Sequence, residues 1–284
     1  MREGLSRAKR IIMYNNASKL GFSIVIVFIL LSATEAVAGW GILPYNPTNI
    51  ALDHKFEPPS INHPFGTNSL GTDVFSMVIA GAPNDAMVSF FVVGFSFVFG
   101  GVLGSFAAYV GGWVDEALMR VTDVFFAVPA LVLAMAITLV LGPGPTNVMI
   151  ALATIWWPSY SRLARAEALK LSTANFVESA KLSGISIPRI VLRHIYRIAA
   201  PTLLVYATLD VGTVVLAYSG LAYLGLAVRP PYPDWGTMVA SYQIFIFRAP
   251  WLPLIPAFII VMVALGFSLL GDGLKEALQR ETGR

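Results

Sequence analysis

Residues 86–110 read AMVSFFVVGFSFVFGGVLGSFAAYV, a stretch of 25 residues without one charged side chain. A helix of about 20 apolar residues crosses the roughly 30 Å of hydrocarbon in a bilayer. This stretch is long enough to do so, and it therefore predicts a transmembrane helix at Ala86–Val110.

The composition of the whole chain supports this interpretation. Of its 284 residues, 56% are hydrophobic and 12% are charged, whereas a soluble domain has about 45–50% apolar and about 25% charged residues. The 19 basic and 16 acidic residues are bunched between long apolar stretches. This distribution excludes a soluble globular protein and is typical of a protein that crosses a membrane several times.

Six stretches are long and apolar enough to span the membrane, and they predict an all-α fold with six transmembrane helices. They are Leu20–Trp40, Ala86–Val110, Val124–Leu141, Asn147–Ser161, Pro201–Gly220 and Trp251–Leu270. The fourth helix can continue past Arg162, and Pro129 is expected to kink the third. We interpret the first stretch as a retained helix, because no small-residue cleavage site follows it.

The predicted organisation has five parts. These are a cytoplasmic amino terminus at 1–19, a first transmembrane helix at 20–40, an external proline-rich loop at 41–85, a five-helix core at 86–274 and a cytoplasmic carboxyl terminus at 275–284. The core contains a cytoplasmic loop at 162–200 and an external loop at 221–250. Prolines in the two external loops favour irregular backbone, which serves either as a docking surface or as an inert connector.

The basic residues predict the orientation of the chain. With the amino terminus inside, 16 of the 19 Lys and Arg residues lie on the cytoplasmic side, and only Lys55, Arg229 and Arg248 lie outside. Lys and Arg are enriched in cytoplasmic loops, so both termini are expected in the cytoplasm. The same rule explains the net charge of +3 without nucleic acid as a partner.

Small residues on the second predicted helix point to close helix packing. Gly100 and Gly104 have the G-x-x-x-G spacing that lets two membrane helices approach each other. In a bundle of six helices, this favours an internal contact over a dimer interface.

The cytoplasmic loop has the pattern of a helical hairpin. Asn175 is suited to cap a short helix, Glu178 has the spacing of a capping box, and Gly184 is suited to end the helix in a left-handed conformation. Small residues on this helix, Ser179 and Ala180 among them, predict a surface without large side chains, which can enter a groove on a partner.

A second helix in the loop is expected to begin at Ser186, with Pro188 in its first turn. Three arginines four residues apart, Arg189, Arg193 and Arg197, give it a basic face opposite an apolar one. Such a helix either lies on anionic lipid headgroups or binds a protein, and the pattern leaves both alternatives open.

Asp210 lies near the middle of the fifth predicted span, where a charged side chain is costly. Tyr206, Asp210 and Thr213 share one helical face. This face either lines a pathway for substrate or provides a structural hydrogen bond to a neighbouring helix, and both satisfy the same energetic requirement. Trp156 and Trp157 are interpreted as residues of the membrane interface.

The sequence offers no enzymatic machinery. It has no Cys, only three scattered His residues and no G-x-x-x-x-G-K-[ST] motif. We therefore expect no metal and no cofactor in this chain, and any ATP that drives it must be hydrolysed by another chain.

Several segments carry a resemblance to a known family. Glu178–Gly184, with the sequence ESAKLSG, is similar to the E-A-A-x-x-x-G element of the inner-membrane permeases of binding-protein-dependent ABC importers. Further segments at 63–76, 111–123, 157–166, 224–236 and 269–274 resemble the dipeptide/oligopeptide branch, in particular the second of its two paired permeases. Departures from the pattern include Ser179 for the first Ala and Tyr196-Arg197 for Leu-Pro.

The resemblance implies the type I fold of ABC importer permeases and a prokaryotic inner membrane as location. The implied partners are a second homologous permease in a heterodimer, two cytoplasmic ATPases that hold ATP and Mg²⁺, and an external solute-binding protein. Glu178, Ser179, Ala180 and Gly184 would form the helix that couples to the ATPase.

Peptides are the substrate that the resemblance implies. Oligosaccharides are the alternative within the same machinery, and an ion-gradient-driven secondary transporter is the alternative from another class.

Overall fold

The computed structural model describes residues 15–172, 174–229 and 231–281. The helices of this part are α1 (Asn16–Ala38), α2 (Val74–Val110), α3 (Gly112–Phe126), α4 (Ala130–Leu141), α5 (Pro145–Ser172), α6 (Asn175–Leu182), α7 (Ile187–Tyr223), α8 (Trp235–Tyr242) and α9 (Trp251–Glu281). Short 3₁₀ turns follow α1 and α8, and a third lies at Leu52–His54. The all-α fold class is confirmed. Residues 1–14, with four of the predicted cytoplasmic basic residues, and residues 282–284 lie outside the described part.

Five of the six predicted spans coincide with continuous helix, and the third is divided between two helices. Among the described residues, α1, α2, α7 and α9 are long and apolar enough to cross a membrane, and the bent pair α3–α4 gives a fifth candidate. The remaining predicted span lies in the first half of α5, whose second half carries charges from Arg162 onward. The prediction that this helix continues into the basic segment is confirmed.

The third predicted span, Val124–Leu141, is broken rather than kinked. α3 ends at Phe126, and α4 begins after Pro129 at an angle of 85° to it. Pro129 has no N–H to donate, and its extended backbone (φ −55°, ψ 127°) cannot continue a helix. The proline therefore separates two helices, where a single bent helix was expected.

The first external loop is shorter than predicted, because α2 begins at Val74 and not at Ala86. Asp73 caps this helix by accepting a hydrogen bond of 2.7 Å from the Ser76 N–H. Pro83, which predicted a loop, lies inside the helix. The Trp235 indole of a later helix donates to the Val78 carbonyl, five residues before Pro83.

The second external connection is also more regular than predicted. It contains α8, which Asp234 caps through the Thr237 N–H at 3.1 Å. Pro231 and Pro233 precede this helix and do not interrupt it, and Pro230 lies outside the described residues.

The contact between α2 and α5 confirms the prediction that the G-x-x-x-G motif serves internal packing. A Cβ atom at Gly100 would lie 2.3 Å from the Trp157 carbonyl oxygen, and one at Gly104 would lie 2.0 Å from that of Ser161. Both distances are far below van der Waals contact. Glycine at these positions therefore lets the two backbones touch.

Candidate functional site

The short helix α6 lies between the two long helices α5 and α7. Its N-cap is Ala174, whose extended backbone (φ −74°, ψ 140°) precedes Asn175 as the first helical residue. Asn175 is therefore not the cap, and the predicted capping box with Glu178 does not form. Backbone N–H groups of Val177 and Glu178 donate to the Ala174 carbonyl instead.

The end of α6 is as predicted. Gly184 adopts a left-handed conformation (φ 73°), and its N–H donates to the Lys181 carbonyl at 3.0 Å. The Ile185 N–H donates to the Ala180 carbonyl at 3.2 Å. These two bonds form a Schellman motif, in which glycine is favoured because it has no Cβ.

Opposite faces of α6 have different environments. Val177 and Ala180 are buried in a small core with Ile190 and Ile195, whereas Glu178 and Ser179 are exposed. Ala180 therefore holds α6 in place and does not form part of the predicted outer surface. The exposed face is therefore uncovered in the single chain.

α7 begins in the loop and becomes a membrane helix without interruption. Pro188 lies in its first turn, as predicted, and a π-helical segment at Val191–Tyr196 leads into the long helix. The Tyr196 hydroxyl donates to the Phe97 carbonyl of α2 at 3.0 Å. The helix continues through Tyr196 and Arg197, where the resembling family has Leu-Pro.

The carboxylate of Asp210 in α7 lies against α5. Its Oδ2 accepts hydrogen bonds from Trp156 Nε1 at 2.6 Å and from the Tyr160 hydroxyl at 3.1 Å, and 7% of the residue is exposed. The Tyr206 ring contacts the Tyr160 ring edge to face, with 5.1 Å between centroids. Thr213 lies on the exposed side of α7. The structure thus brings Tyr206 and Asp210 together, and Thr213 lies apart from them.

The two tryptophans, which were interpreted as residues of the membrane interface, contact neighbouring helices. Trp156 hydrogen-bonds to Asp210, and Trp157 is buried with edge contacts to Phe99 and Phe125. Both rings therefore serve helix packing inside the bundle, which a count of aromatic residues near a helix end does not reveal.

The sequence did not reveal that two further acidic residues are buried in the bundle. Asp85 of α2 is fully buried and accepts a hydrogen bond from Ser219 at 3.2 Å, and Asp234 accepts one from Tyr218 at 2.8 Å. Burial raises the pKa of the Asp234 carboxyl, and hydrogen bonds from Thr237 and Tyr218 oppose this rise. Asp85 directly precedes the predicted second span, and an acid at the edge of an apolar stretch could have indicated its role. The nearby Pro83 led to the prediction that Asp85 lies in a loop.

Within residues 15–172, 174–229 and 231–281, no three His, Cys, Asp or Glu side chains are grouped so that they could hold a metal ion.

Comparisons with known proteins agree on one family. The model for the binding-protein-dependent transport system inner membrane component matches residues 100–284. The dipeptide transport system permease protein DppC of Alkalihalophilus pseudofirmus is 36% identical over 278 residues, which cover 98% of this chain and 88% of that protein. The glutathione transport system permease protein GsiD of Escherichia coli is 38% identical, with 89% and 84% covered.

A third relative is the probable D,D-dipeptide transport system permease protein DdpC of Escherichia coli. It is 34% identical over 266 residues, which cover 94% of this chain and 89% of that protein. The similarity to these relatives thus extends over nearly the whole chain, beyond the residues that the family model matches.

Proposed function

Because the chain belongs to the family of binding-protein-dependent transport system inner membrane components, we propose that it forms half of the translocation pathway of an importer for small peptides. The family consists of permease subunits of ABC importers, which work in a membrane with ATPase and binding-protein partners. The relatives are named for dipeptides, glutathione and D,D-dipeptides. These names support peptides over oligosaccharides as the substrate.

The exposed face of α6 carries the proposal. It presents Glu178 and Ser179 outward, while Val177 and Ala180 fix the helix to the bundle. We propose that this face binds a cytoplasmic ATPase, with Gly184 shaping its end. ATP and Mg²⁺ would be bound by that partner, and this chain would hold no cofactor. Both termini would then lie in the cytoplasm.

A second homologous permease would complete the pathway as a heterodimer. Thr213 and Leu216 of α7 are exposed in the single chain. We propose that Tyr206, Asp210 and Thr213 face the pathway, Thr213 from its exposed side and Tyr206 and Asp210 from the contact with α5. Support comes from the hydrogen bonds to Asp210, which both end on Oδ2 and so leave Oδ1 for a substrate ammonium group.

The test is uptake by the complete complex in proteoliposomes, with a labelled dipeptide and a labelled trisaccharide compared. We expect ATP-dependent, binding-protein-dependent uptake of the dipeptide. Glu178→Lys should leave the chain folded but detach or uncouple the ATPase, since it reverses the charge on the exposed face. Uptake driven by an ion gradient without ATP, or undiminished uptake by Glu178→Lys, would contradict the proposal.

A further inference from the structure

Two arginines of α5 bind two aspartates of α3. Arg165 makes a bidentate pair with Asp115, with Nε 2.6 Å from Oδ1 and Nη2 2.5 Å from Oδ2. The Arg165 and Asp115 side chains are only 31% and 15% exposed. A fork-to-fork pair of this kind fixes orientation as well as distance.

The second pair lies one turn away on α5. Arg162 contacts the Asp123 carboxylate, donates from Nε to the Thr122 hydroxyl at 3.1 Å and lies over the Phe126 ring at 4.2 Å. Arg162 therefore holds the last turn of α3, and Arg165 holds its first turn. Together the two arginines fasten the whole length of α3 to α5.

The two helices differ in what lies beyond these contacts. From Arg165, α5 continues as unbroken helix to Ser172, and α6 begins at Asn175. On the other side, α3 meets α4 only through the 85° bend at Ala127–Pro129. A break in the helix at proline has no ladder of backbone hydrogen bonds to keep its angle. α3 is thus joined to α4 by a bend without helical hydrogen bonds, to α2 through Gly111 and to α5 by the ion pairs.

From this arrangement we infer that Arg165–Asp115 and Arg162–Asp123 transmit movement of α6 to α3 and so change the angle between α3 and α4. The inference rests on the proposed function, in which α6 binds the ATPase. Arg162 and Arg165 are then positioning residues for transport. An ion pair as exposed as Arg162–Asp123 adds little to stability, whereas the bidentate Arg165–Asp115 pair can add more, so assembly of the complex is measured together with coupling.

The test is a charge exchange in the complete complex. Arg165→Asp and Asp115→Arg should each lower dipeptide uptake per ATP hydrolysed by about tenfold, a usual size for coupling between sites. The double variant, with both charges exchanged, should restore most of it. Arg120→Glu is the matched control, because Arg120 pairs with Glu116 inside α3, at 3.5 Å and in solvent, and does not reach α5.

A distance measurement separates transmission from simple stabilisation. The chain has no Cys, so one introduced cysteine at Trp113 of α3 and one at Val140 of α4 can each carry a spin label. Both positions are highly exposed. ATP should change the distance between the labels in the parent complex, leave it unchanged in Arg165→Asp and change it again in the double variant. Arg165→Gln serves in the same experiment if Arg165→Asp does not assemble.

Two results would overturn the inference alone. One is full uptake per ATP in the single variants with the ATPase retained, and the other is an ATP-dependent distance change in Arg165→Asp or Arg165→Gln. Failure of the parent chain to retain an ATPase would overturn the proposed function and the inference with it.

Discussion

Trp156 of α5 donates a hydrogen bond of 2.6 Å from Nε1 to Oδ2 of Asp210 in α7. The two residues are 54 positions apart in the sequence, and the contact lies inside the bundle. A carboxylate in hydrocarbon requires such donors. The bond therefore sets the position of Asp210 and stabilises the packing of α5 on α7.

Trp156→Phe should destabilise the protein, because it removes one of the two described donors to Asp210 and keeps the aromatic ring. Leaving a buried acceptor with one partner fewer costs about 1–3 kcal/mol. Thermal unfolding of the purified chain in detergent measures this. Trp113→Phe is the control, since Trp113 is 80% exposed. Equal unfolding temperatures for the two variants would show that the bond contributes nothing to stability.

Asp210→Asn tests the proposed role of the carboxylate in the pathway. Asparagine still accepts a hydrogen bond from Trp156, so the fold should be kept. It no longer attracts a substrate ammonium group, and dipeptide uptake should fall by about tenfold or more if a charge-assisted hydrogen bond is lost. Asp53→Asn changes an exposed residue outside the long helices and should leave uptake as it is. Unchanged rate and selectivity in Asp210→Asn would leave Asp210 with a structural role alone.

Gly104→Ala should separate α2 from α5. The new Cβ would lie 2.0 Å from the Ser161 carbonyl oxygen, and backbone cannot yield as a flexible side chain does. Gly94 of the same helix has no atom within 4 Å of its Cβ position, so Gly94→Ala should be neutral or stabilise by up to about 1 kcal/mol. Folded yield after size-exclusion chromatography compares the two. Equal yields would contradict the packing assigned to Gly104.

The position of helices was predictable because it depends on local properties. Long stretches without charged residues predicted α1, α2 and α9 as membrane helices. Gly100 and Gly104 correctly indicated internal packing. The start of α2 was not predictable from proline content, because Pro83 lies inside the helix and prolines are tolerated in membrane helices.

Contacts between distant residues were the part that the sequence did not reveal. Asp85 and Ser219 are 134 positions apart, and nothing local marks them as partners. The role of Asp210 was expected in general terms, because a charge in hydrocarbon requires a donor or a cavity. Its particular donors follow only from the packing of α5 on α7. The bend between α3 and α4 was underestimated for the same reason, since a proline alone does not determine the angle that neighbouring helices impose.

Gly184 should tolerate asparagine but not valine. Its φ of 73° lies in the left-handed region, which asparagine enters at small cost and β-branched residues enter with strain. Its Cβ position has no atom within 4 Å, so a clash with neighbours does not decide the outcome. Gly184→Val should therefore distort the end of α6 and lower binding-protein-stimulated ATP hydrolysis, while Gly184→Asn should keep it.

Gly225→Val is the control for Gly184→Val, because Gly225 also has a positive φ of 79° and open space but lies in the external connection. Stimulated hydrolysis at the parent rate in Gly184→Val, with the ATPase bound, would show that coupling does not depend on the backbone conformation at the end of α6.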